Sequence, residues 1–172
     1  ENYLKKIRGF YHDSEMIKVI TGVRRCGKSS LMQTIVEELK EQGVPEANLV
    51  FLDLDSKKHK SIKKPEQLEQ EIDKLCSAEG MKYLFIDEIQ NIIGFEEIIN
   101  AYRGEKEYSV FITGSNSYLL SGELITKLTG RYIEIEMLPL SFEEYIDMKQ
   151  YYGKNVSPNP TEELDKYINE GG

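Results

Sequence analysis

The sequence predicts an α/β protein with three layers, α/β/α, around a five-stranded and mostly parallel sheet. Three observations lead to this prediction. Runs rich in β-branched and aromatic residues alternate with stretches of helical periodicity, and this alternation is typical of parallel sheets with helices on both faces. A glycine-containing loop joins the first run to the first helical stretch. Two of the runs contain a continuous apolar stretch, as buried central strands do.

Five segments are predicted as strands because residues that favour extended structure are concentrated in them. They are Ile17–Thr21, Leu49–Leu54, Tyr83–Asp87, Ser109–Thr113 and Tyr132–Met137. The third and fourth contain continuous apolar runs and are therefore expected in the middle of the sheet. The second and fifth alternate apolar with acidic residues, so each has a polar side and is expected near an edge.

Apolar residues recur at helical spacing between the first four strands. These residues are Leu31, Met32, Ile35, Val36 and Leu39, then Leu68, Ile72, Leu75 and Cys76, then Ile98, Ile99 and Tyr102. After the fifth strand, Ser141 and Glu144 have the spacing of a capping box, which predicts the start of another helix. The glycine and prolines of residues 152–160 predict a linker, and Thr161 is predicted as the N-cap of a last helix.

Length and composition describe one folded domain with a short extension. The chain of 172 residues suffices for one core, predicted at 1–150, and residues 151–172 are expected to be a linker and the start of a truncated C-terminal region. No apolar run approaches the roughly 20 residues of a membrane span. Without a recognisable signal peptide, we expect a cytoplasmic protein that makes no membrane contact. The net charge of −8 gives no general attraction to nucleic acid.

The segment Gly22–Ser29, GVRRCGKS, matches the phosphate-binding pattern G-x-x-x-x-G-K-[ST] in full, between a predicted strand and a predicted helix. Gly22 and Gly27 allow backbone angles at which successive N–H groups point into one cavity and surround phosphate oxygens. Lys28 is expected to bind the β- and γ-phosphates, and the Ser29 hydroxyl to bind magnesium directly. The predicted nucleotide contacts are Gly22, Val23, Arg24, Arg25, Cys26, Gly27, Lys28, Ser29 and Ser30.

Three residues of this loop have two interpretations each. Arg24 and Arg25 either touch phosphate or lie solvated on the outer side of the loop. Cys26 is either a small residue that fits the loop or a thiol whose pKa is lowered by the helix terminus, which would make it oxidisable. Neither Cys26 nor Cys76 has a cysteine or histidine at ligand spacing, so no structural metal is expected.

An apolar strand ends in Asp87 and is followed directly by Glu88, which is the Walker B pattern. Asp87 is expected to hold magnesium through a water, and Glu88 to orient and polarise the water that attacks the γ-phosphate. Many nucleotide-binding switches lack this second carboxylate, so Glu88 favours an ATPase. After the next strand, Ser115 or Asn116 either senses the γ-phosphate or belongs to a turn with a helix cap, and Thr113 is the weaker candidate.

On these residues the chain resembles the AAA+ superfamily, and within it the prokaryotic ATPase family whose loop reads G-x-R-R-x-G-K-[ST]. The similarity extends to Phe85–Gln90, Ile112–Asn116, Leu128–Arg131 and Pro139–Phe142, and it covers nearly the whole chain. The resemblance implies a P-loop NTPase fold with strand order 5-1-4-3-2, and ATP with Mg²⁺ as ligands. This order agrees with the edge positions inferred above from polarity.

The same resemblance assigns a role to Arg131, which stands just before the last strand, where such proteins place an arginine finger. It implies a homo-oligomer in which Arg131 acts on ATP bound by the neighbouring subunit, and the alternative is a structural ion pair. Residues 167–172 resemble the opening of the family's C-terminal region, whose lid and second sensor arginine the sequence does not include.

The predicted function is magnesium-dependent ATP hydrolysis, coupled to a conformational change on an unknown protein or DNA partner. The predicted catalytic residues are Glu88, Lys28, Asn116, Ser115 and Arg131. Two alternatives remain, a nucleotide-gated binding module that scarcely hydrolyses ATP and a small-molecule kinase, whereas the absence of an N-K-x-D motif disfavours a GTPase. A basic cluster after the second strand either contacts the partner or is a solvated loop. Its members are Lys57, Lys58, His59, Lys60, Lys63 and Lys64.

Overall fold

The structure, a computed structural model, describes residues 2–76, 78–115, 127–128 and 130–170. Its strands are β1 (Ile17–Gly22), β2 (Leu49–Asp53), β3 (Lys82–Asp87), β4 (Tyr108–Gly114) and β5 (Tyr132–Met137). They form one sheet in the order β2-β3-β4-β1-β5, and every pairing is parallel. Read from the other end this order is 5-1-4-3-2, so the predicted α/β class and strand order are confirmed.

The strands lie where the sequence predicted them, with bounds that differ by at most one residue at either end. β1, β3 and β4 are buried along their whole length. β2 and β5 form the two edges of the sheet, and their buried positions alternate with more exposed ones over most of each strand. The prediction that the two strands with a polar side lie at the edges is therefore confirmed.

Helices cover both faces of this sheet, which gives the predicted three layers. In the described part of the chain they are α1 (Asn2–Ile7), α2 (Lys28–Glu41), α3 (Pro65–Leu75), α4 (Phe95–Gly104), α5 (Phe142–Tyr151) and α6 (Pro160–Glu170). On one face α3 and α4 contribute Ile72 and Ile99 to the core. On the other face α1 and α2 contribute Ile7, Met32 and Ile35. None of these helices has the length and apolar content that a membrane span requires.

The segment that precedes β1 is fastened to the body of the protein, a feature that the sequence did not predict. Arg8 donates two hydrogen bonds to the Glu38 carboxylate on α2, at 2.7 and 3.0 Å, and the Tyr11 hydroxyl donates to the same carboxylate at 2.8 Å. At the amino end of β4, the Ser109 hydroxyl donates to the Tyr11 carbonyl at 2.7 Å and accepts from the buried Lys18 ammonium at 2.7 Å. Polar contacts therefore join this segment to both α2 and the sheet.

After β5 the chain forms α5 and α6, which pack against each other. Ser141 Oγ accepts from the Glu144 N–H at 3.1 Å and Glu144 Oε2 accepts from the Ser141 N–H at 2.8 Å, so the predicted capping box is confirmed. The prediction that Thr161 caps the last helix is wrong. α6 begins at Pro160, and the side chain of Asn159 accepts a hydrogen bond from the Thr161 N–H at 3.1 Å. Proline suits the first position of a helix, because no hydrogen bond from its nitrogen is needed there.

Candidate active site

The phosphate loop, the acidic pair and the end of β4 meet at one edge of the sheet. β1 ends at Gly22, β3 at Asp87 and β4 at Gly114, and these three strands lie side by side. Because the strands are parallel, their last residues share the carboxyl edge, where ligands bind in sheets of this kind. A cavity of about 320 Å³ opens there. Its lining includes Arg24, Lys28, Asp55, Glu88, Gln90, Asn91 and Ser115.

Two glycines give the phosphate loop its shape. Gly22 has a φ of 152°, and a Cβ atom built on it would lie 2.5 Å from both Cys26 Sγ and the carbonyl oxygen of Met137. Gly27 has a φ of 94° and directly precedes α2, so the loop ends in the left-handed region that glycine adopts without strain. The first N–H groups of a helix lack partners within the helix, and they favour anions. The loop therefore presents donors to the cavity at the start of α2.

Lys28 lies on the floor of this cavity with only 5% of its surface exposed. Its ammonium group donates hydrogen bonds to the carbonyl oxygens of Gly22 and Val23, each at 3.1 Å. The same nitrogen lies 3.9 Å from Glu88 Oε1. The structure thus brings together the two residues that the sequence predicted as phosphate ligand and catalytic carboxylate, although they are 60 positions apart in the chain.

Asp87 and Glu88 are both tied to Thr113. The Asp87 carboxylate is buried and accepts a hydrogen bond from the Thr113 hydroxyl. The same hydroxyl oxygen accepts the Glu88 backbone N–H at 3.0 Å. Glu88 has a left-handed backbone, with φ 58° and ψ 49°, which is uncommon for a residue with a side chain. The interpretation of the sequence ranked Thr113 below its neighbours Ser115 and Asn116, because the pairing of β3 with β4 cannot be read from either strand alone.

Sequence reasoning also missed three polar residues of the cavity wall. Gln90 Nε2 donates a hydrogen bond to Glu88 Oε2, so Glu88 contacts both Gln90 and Lys28. Asn91 Nδ2 donates to Asp55 Oδ1 at 2.8 Å, which joins the segment after β2 to the short 3-10 helix Ile89–Asn91 after β3. In the sequence, Asp55, Gln90 and Asn91 are marked as site candidates only by their position shortly after the carboxyl end of a strand.

The other predicted contacts are distributed around the loop. Val23, Arg24 and Arg25 are exposed, and of these Arg24 lines the cavity. Ser29 and Ser30 are exposed in the first turn of α2. Ser115 lines the same cavity as Glu88, whereas Asn116 lies outside the described residues.

Cys26 behaves as a small residue that fits the loop. Burial raises the pKa of its thiol above the ordinary value, and this effect exceeds the lowering by the nearby Lys28 charge. The alternative of a thiol with a lowered pKa is therefore wrong. The physical reason is that the half-buried sulfur packs under the loop beside Gly22, where the thiolate would lose solvation.

Arg131 does not line the cavity of its own chain. It directly precedes β5, and its carbonyl oxygen accepts the Ile17 N–H at 3.0 Å, which places it at the amino edge of the sheet. Its side chain is exposed and forms no ion pair with a residue that the structure describes. The interpretation of Arg131 as part of a structural ion pair therefore lacks an acidic partner among the described residues.

The basic cluster after β2 is solvated except at its histidine. All five lysines are exposed. His59 is buried, with 6% of its surface exposed, and its Nδ1 lies 3.3 Å from both the Ser56 hydroxyl and the Asp53 carbonyl oxygen. Including His59 in the solvated loop was therefore wrong, because its ring folds back and anchors the segment.

The donors predicted for magnesium are hydroxyl and carboxylate oxygens, which are the ligands that this ion prefers. Ser29 lies in the first turn of α2, and Asp87 lies at the end of β3, two strands away from β1. No group of three histidine, cysteine or acidic side chains placed to hold a metal occurs among the described residues. The residues present therefore fit an ion that takes its remaining ligands from phosphate oxygens and water.

Comparison with known proteins identifies related sequences. Residues 14–146 match the model of a protein family described as AAA domain. A protein of Haemophilus influenzae is 43% identical over 150 residues, which cover 87% of this chain and 37% of that protein. A protein of Methanocaldococcus jannaschii is 35% identical over 156 residues, covering 90% and 34% respectively. Both are described as uncharacterized, and the chain spans about a third of the length of each.

Several solved structures share the fold. PCH-2 of C. elegans superposes with a TM-score of 0.61 at 17% identity, over 91% of this chain and 48% of that chain. A DNA replication initiation factor gives 0.61 at 17%, over 99% and 55%. AMPPCP-bound DnaA from Aquifex aeolicus gives 0.58 at 17%, over 93% and 52%.

Proposed function

This chain belongs to the AAA domain family, whose members are nucleotide-binding domains of the ATPase type, and from that premise we propose that it binds ATP with Mg²⁺ and hydrolyses it. The observation that carries the proposal is the position of Lys28 opposite Glu88 at the cavity beside the phosphate loop. A cation for phosphate and a carboxylate for water then border the same space. Hydrolysis of a bound triphosphate needs a cation on the phosphates and a group that orients the attacking water, and these two residues can supply both.

The proposal assigns a separate task to each group. The loop N–H groups and Lys28 hold the β- and γ-phosphates, because a helix N-terminus and an ammonium group both favour anions. Glu88 accepts the proton of the attacking water, and Ser115 lines the same cavity. Magnesium, held by Ser29 and by Asp87 through a water, would neutralise charge that develops on the phosphate oxygens. A solved neighbour, DnaA, is described as bound to AMPPCP, which supports a nucleotide as the ligand.

Binding of the triphosphate is expected to separate Lys28 from Glu88. The ammonium nitrogen lies 3.9 Å from the carboxylate, and a phosphate group would compete for it with more negative charge. Glu88 would then keep the hydrogen bond from Gln90 at Oε2, and its Oε1 would be free to contact a water. In the absence of ATP, the two groups partly neutralise each other.

The test uses three forms of the full-length protein: the wild type, Lys28→Ala and Glu88→Gln. MgATP binding is measured by calorimetry and phosphate release by a continuous assay. Lys28→Ala should lose binding, whereas Glu88→Gln should bind at least as tightly as the wild type and release at least about 100-fold less phosphate. Equal release from the wild type and Glu88→Gln would refute the catalytic role of Glu88, and unchanged binding by Lys28→Ala would refute the nucleotide site.

A second candidate, a nucleotide-gated binding module that scarcely hydrolyses ATP, has one observation in its favour. Glu88 is engaged on both sides, by Lys28 and by Gln90, and a carboxylate that stayed so engaged would not activate water. This candidate predicts binding by the wild type with no release above the Glu88→Gln background. A kinase would instead release little phosphate alone and transfer it to an added acceptor, so the same assay with candidate acceptors separates the three.

The proposal extends to an assembly in which Arg131 acts on ATP held by a neighbouring subunit and drives a change on a protein or DNA partner. The exposed side chain, placed away from the cavity of its own chain, supports such a role. Mixing Arg131→Ala with Glu88→Gln subunits tests it. Because mixed pairs restore one intact site, activity should recover on mixing, and a mixture as inactive as its components would reject a role between subunits.

A further inference from the structure

We propose that Thr113 is a positioning residue for the acidic pair, in which one buried hydroxyl fixes both the carboxylate of Asp87 and the backbone of Glu88. The inference deepens the proposed function and rests on it. Thr113 is fully buried, and it is not among the described residues that line the cavity. It therefore acts through Asp87 and Glu88 rather than by touching nucleotide.

The strand register brings these three residues together. β3 and β4 pair with Ile86 opposite Ile112, so the next residues along, Asp87 and Thr113, are neighbours at the carboxyl edge. The Thr113 hydroxyl donates to Asp87 Oδ1. It accepts the Glu88 N–H at 3.0 Å. A single oxygen atom thus contacts both members of the pair.

The direction of each hydrogen bond follows from the chemistry of the groups. A hydroxyl has one hydrogen to donate and lone pairs that accept. The Glu88 N–H can only donate, so it occupies a lone pair of Thr113 Oγ1, and the hydroxyl hydrogen points to the Asp87 carboxylate. Serine could make the same two bonds, whereas valine, which has nearly the shape of threonine, could make neither.

Two consequences follow if the hydroxyl is removed. The Asp87 carboxylate loses the group that orients it, and outer hydrogen-bond partners of metal-binding carboxylates typically contribute about 10–100-fold to metal affinity or activity. Glu88 also loses the acceptor for its N–H. Its left-handed backbone is unfavourable for a residue with a side chain, so without this bond it can relax and carry its carboxylate away from Lys28.

The experiment compares Thr113→Val with Thr113→Ser in the full-length protein. One readout is the Mg²⁺ concentration at half-maximal binding of AMPPCP, and the other is phosphate release at saturating MgATP. Thr113→Val should raise the Mg²⁺ midpoint about tenfold and lower release about tenfold or more, and Thr113→Ser should recover both to within about threefold of the wild type. Thr113→Ala replaces the valine variant if that variant does not fold.

Thr21→Val is the matched control. Thr21 is also fully buried in a strand, and its hydroxyl donates at 2.9 Å to Glu134 Oε1 on β5, which lies on the other side of β1 from β4 and β3. This variant should leave both readouts unchanged. The proposal would be overturned if Thr113→Val behaved like the wild type, if Thr113→Ser were as impaired as Thr113→Val, or if Thr21→Val were as impaired as Thr113→Val. If the wild type releases no phosphate, hydrolysis is refuted, and the Mg²⁺ midpoint alone decides the role of Thr113.

Discussion

At the scale of single residues, Gly22 is a position at which the phosphate loop accepts no side chain. A methyl group there would meet Cys26 Sγ and the Met137 carbonyl oxygen at 2.5 Å, and the backbone oxygen cannot move without shifting β5. We expect Gly22→Ala to lower the free energy of unfolding by about 1–3 kcal/mol and to abolish MgATP binding. Urea unfolding and calorimetry measure the two effects.

Gly9 supplies the comparison for this prediction. A Cβ atom at Gly9 would have no heavy atom within 4 Å, so Gly9→Ala should change neither quantity by much. Tight nucleotide binding by Gly22→Ala would mean that the loop adjusts to the added methyl group.

At the scale of elements, α6 is held to α5 by a buried ion pair between Lys149 and Glu163. The hydrogen bond from Lys149 is the main cause that lowers the pKa of Glu163, and the Ser157 N–H adds to it. A lowered pKa contributes stability that is complete above the ordinary value of 4.5 and is lost as the pH falls below it. We therefore expect α6 to detach on acidification before the sheet unfolds.

Hydrogen exchange of residues 160–170 at neutral and acid pH tests this expectation. Glu163→Gln should lower the protection of α6 from exchange at neutral pH, and this protection should then be the same at neutral and at acid pH. Glu162→Gln is the control, because Glu162 is exposed and its carboxylate accepts a hydrogen bond from the Ser157 hydroxyl at 2.9 Å instead of pairing with Lys149. Equal protection of α6 in wild type and Glu163→Gln would show that the ion pair does not hold the helix.

The elements also differ in how far their sequence determines them. β3 and β4 could be predicted to within one residue at either end, because burial on both faces leaves an unbroken apolar run. The phosphate loop could be predicted because all its residues are contiguous. α1 could not, since six residues carry too little periodicity and its contacts with β5 exist only in the folded chain. The roles of Thr113 and Gln90 could not be predicted either, because their contacts with Asp87 and Glu88 form only in the folded chain.

At the scale of the whole molecule, the buried Lys18 makes stability depend on pH. Its ammonium group donates to the carbonyl oxygens of Asp13 and Met16 and to the Ser109 hydroxyl. Burial lowers the pKa of Lys18 to about 7, although the Asp13 charge opposes the shift. Between about 7 and the ordinary value of 10.5, the unfolded chain then binds more protons than the folded chain. The free energy of unfolding should therefore rise with pH across this window, by at most about 1.4 kcal/mol per unit.

Urea unfolding at pH 7.5 and 9.5 measures this slope, and Lys18→Met removes the titrating group while keeping an unbranched side chain of similar length. The difference in slope between the two proteins isolates Lys18 from tyrosines that titrate at higher pH. Identical slopes would mean that its three oxygen partners keep the amine protonated throughout.

Because all strands of the sheet are parallel, their carboxyl ends lie at one edge and their amino ends at the other. Phosphate chemistry is assigned to one rim, whereas Lys18, Ser109 and the fastened N-terminal segment lie at the opposite rim. The contacts that fasten the N-terminal segment therefore involve other residues than the cavity at the carboxyl edge. Stabilising substitutions around Lys18, Ser109 and the N-terminal segment could therefore be designed without changing the residues that line the cavity.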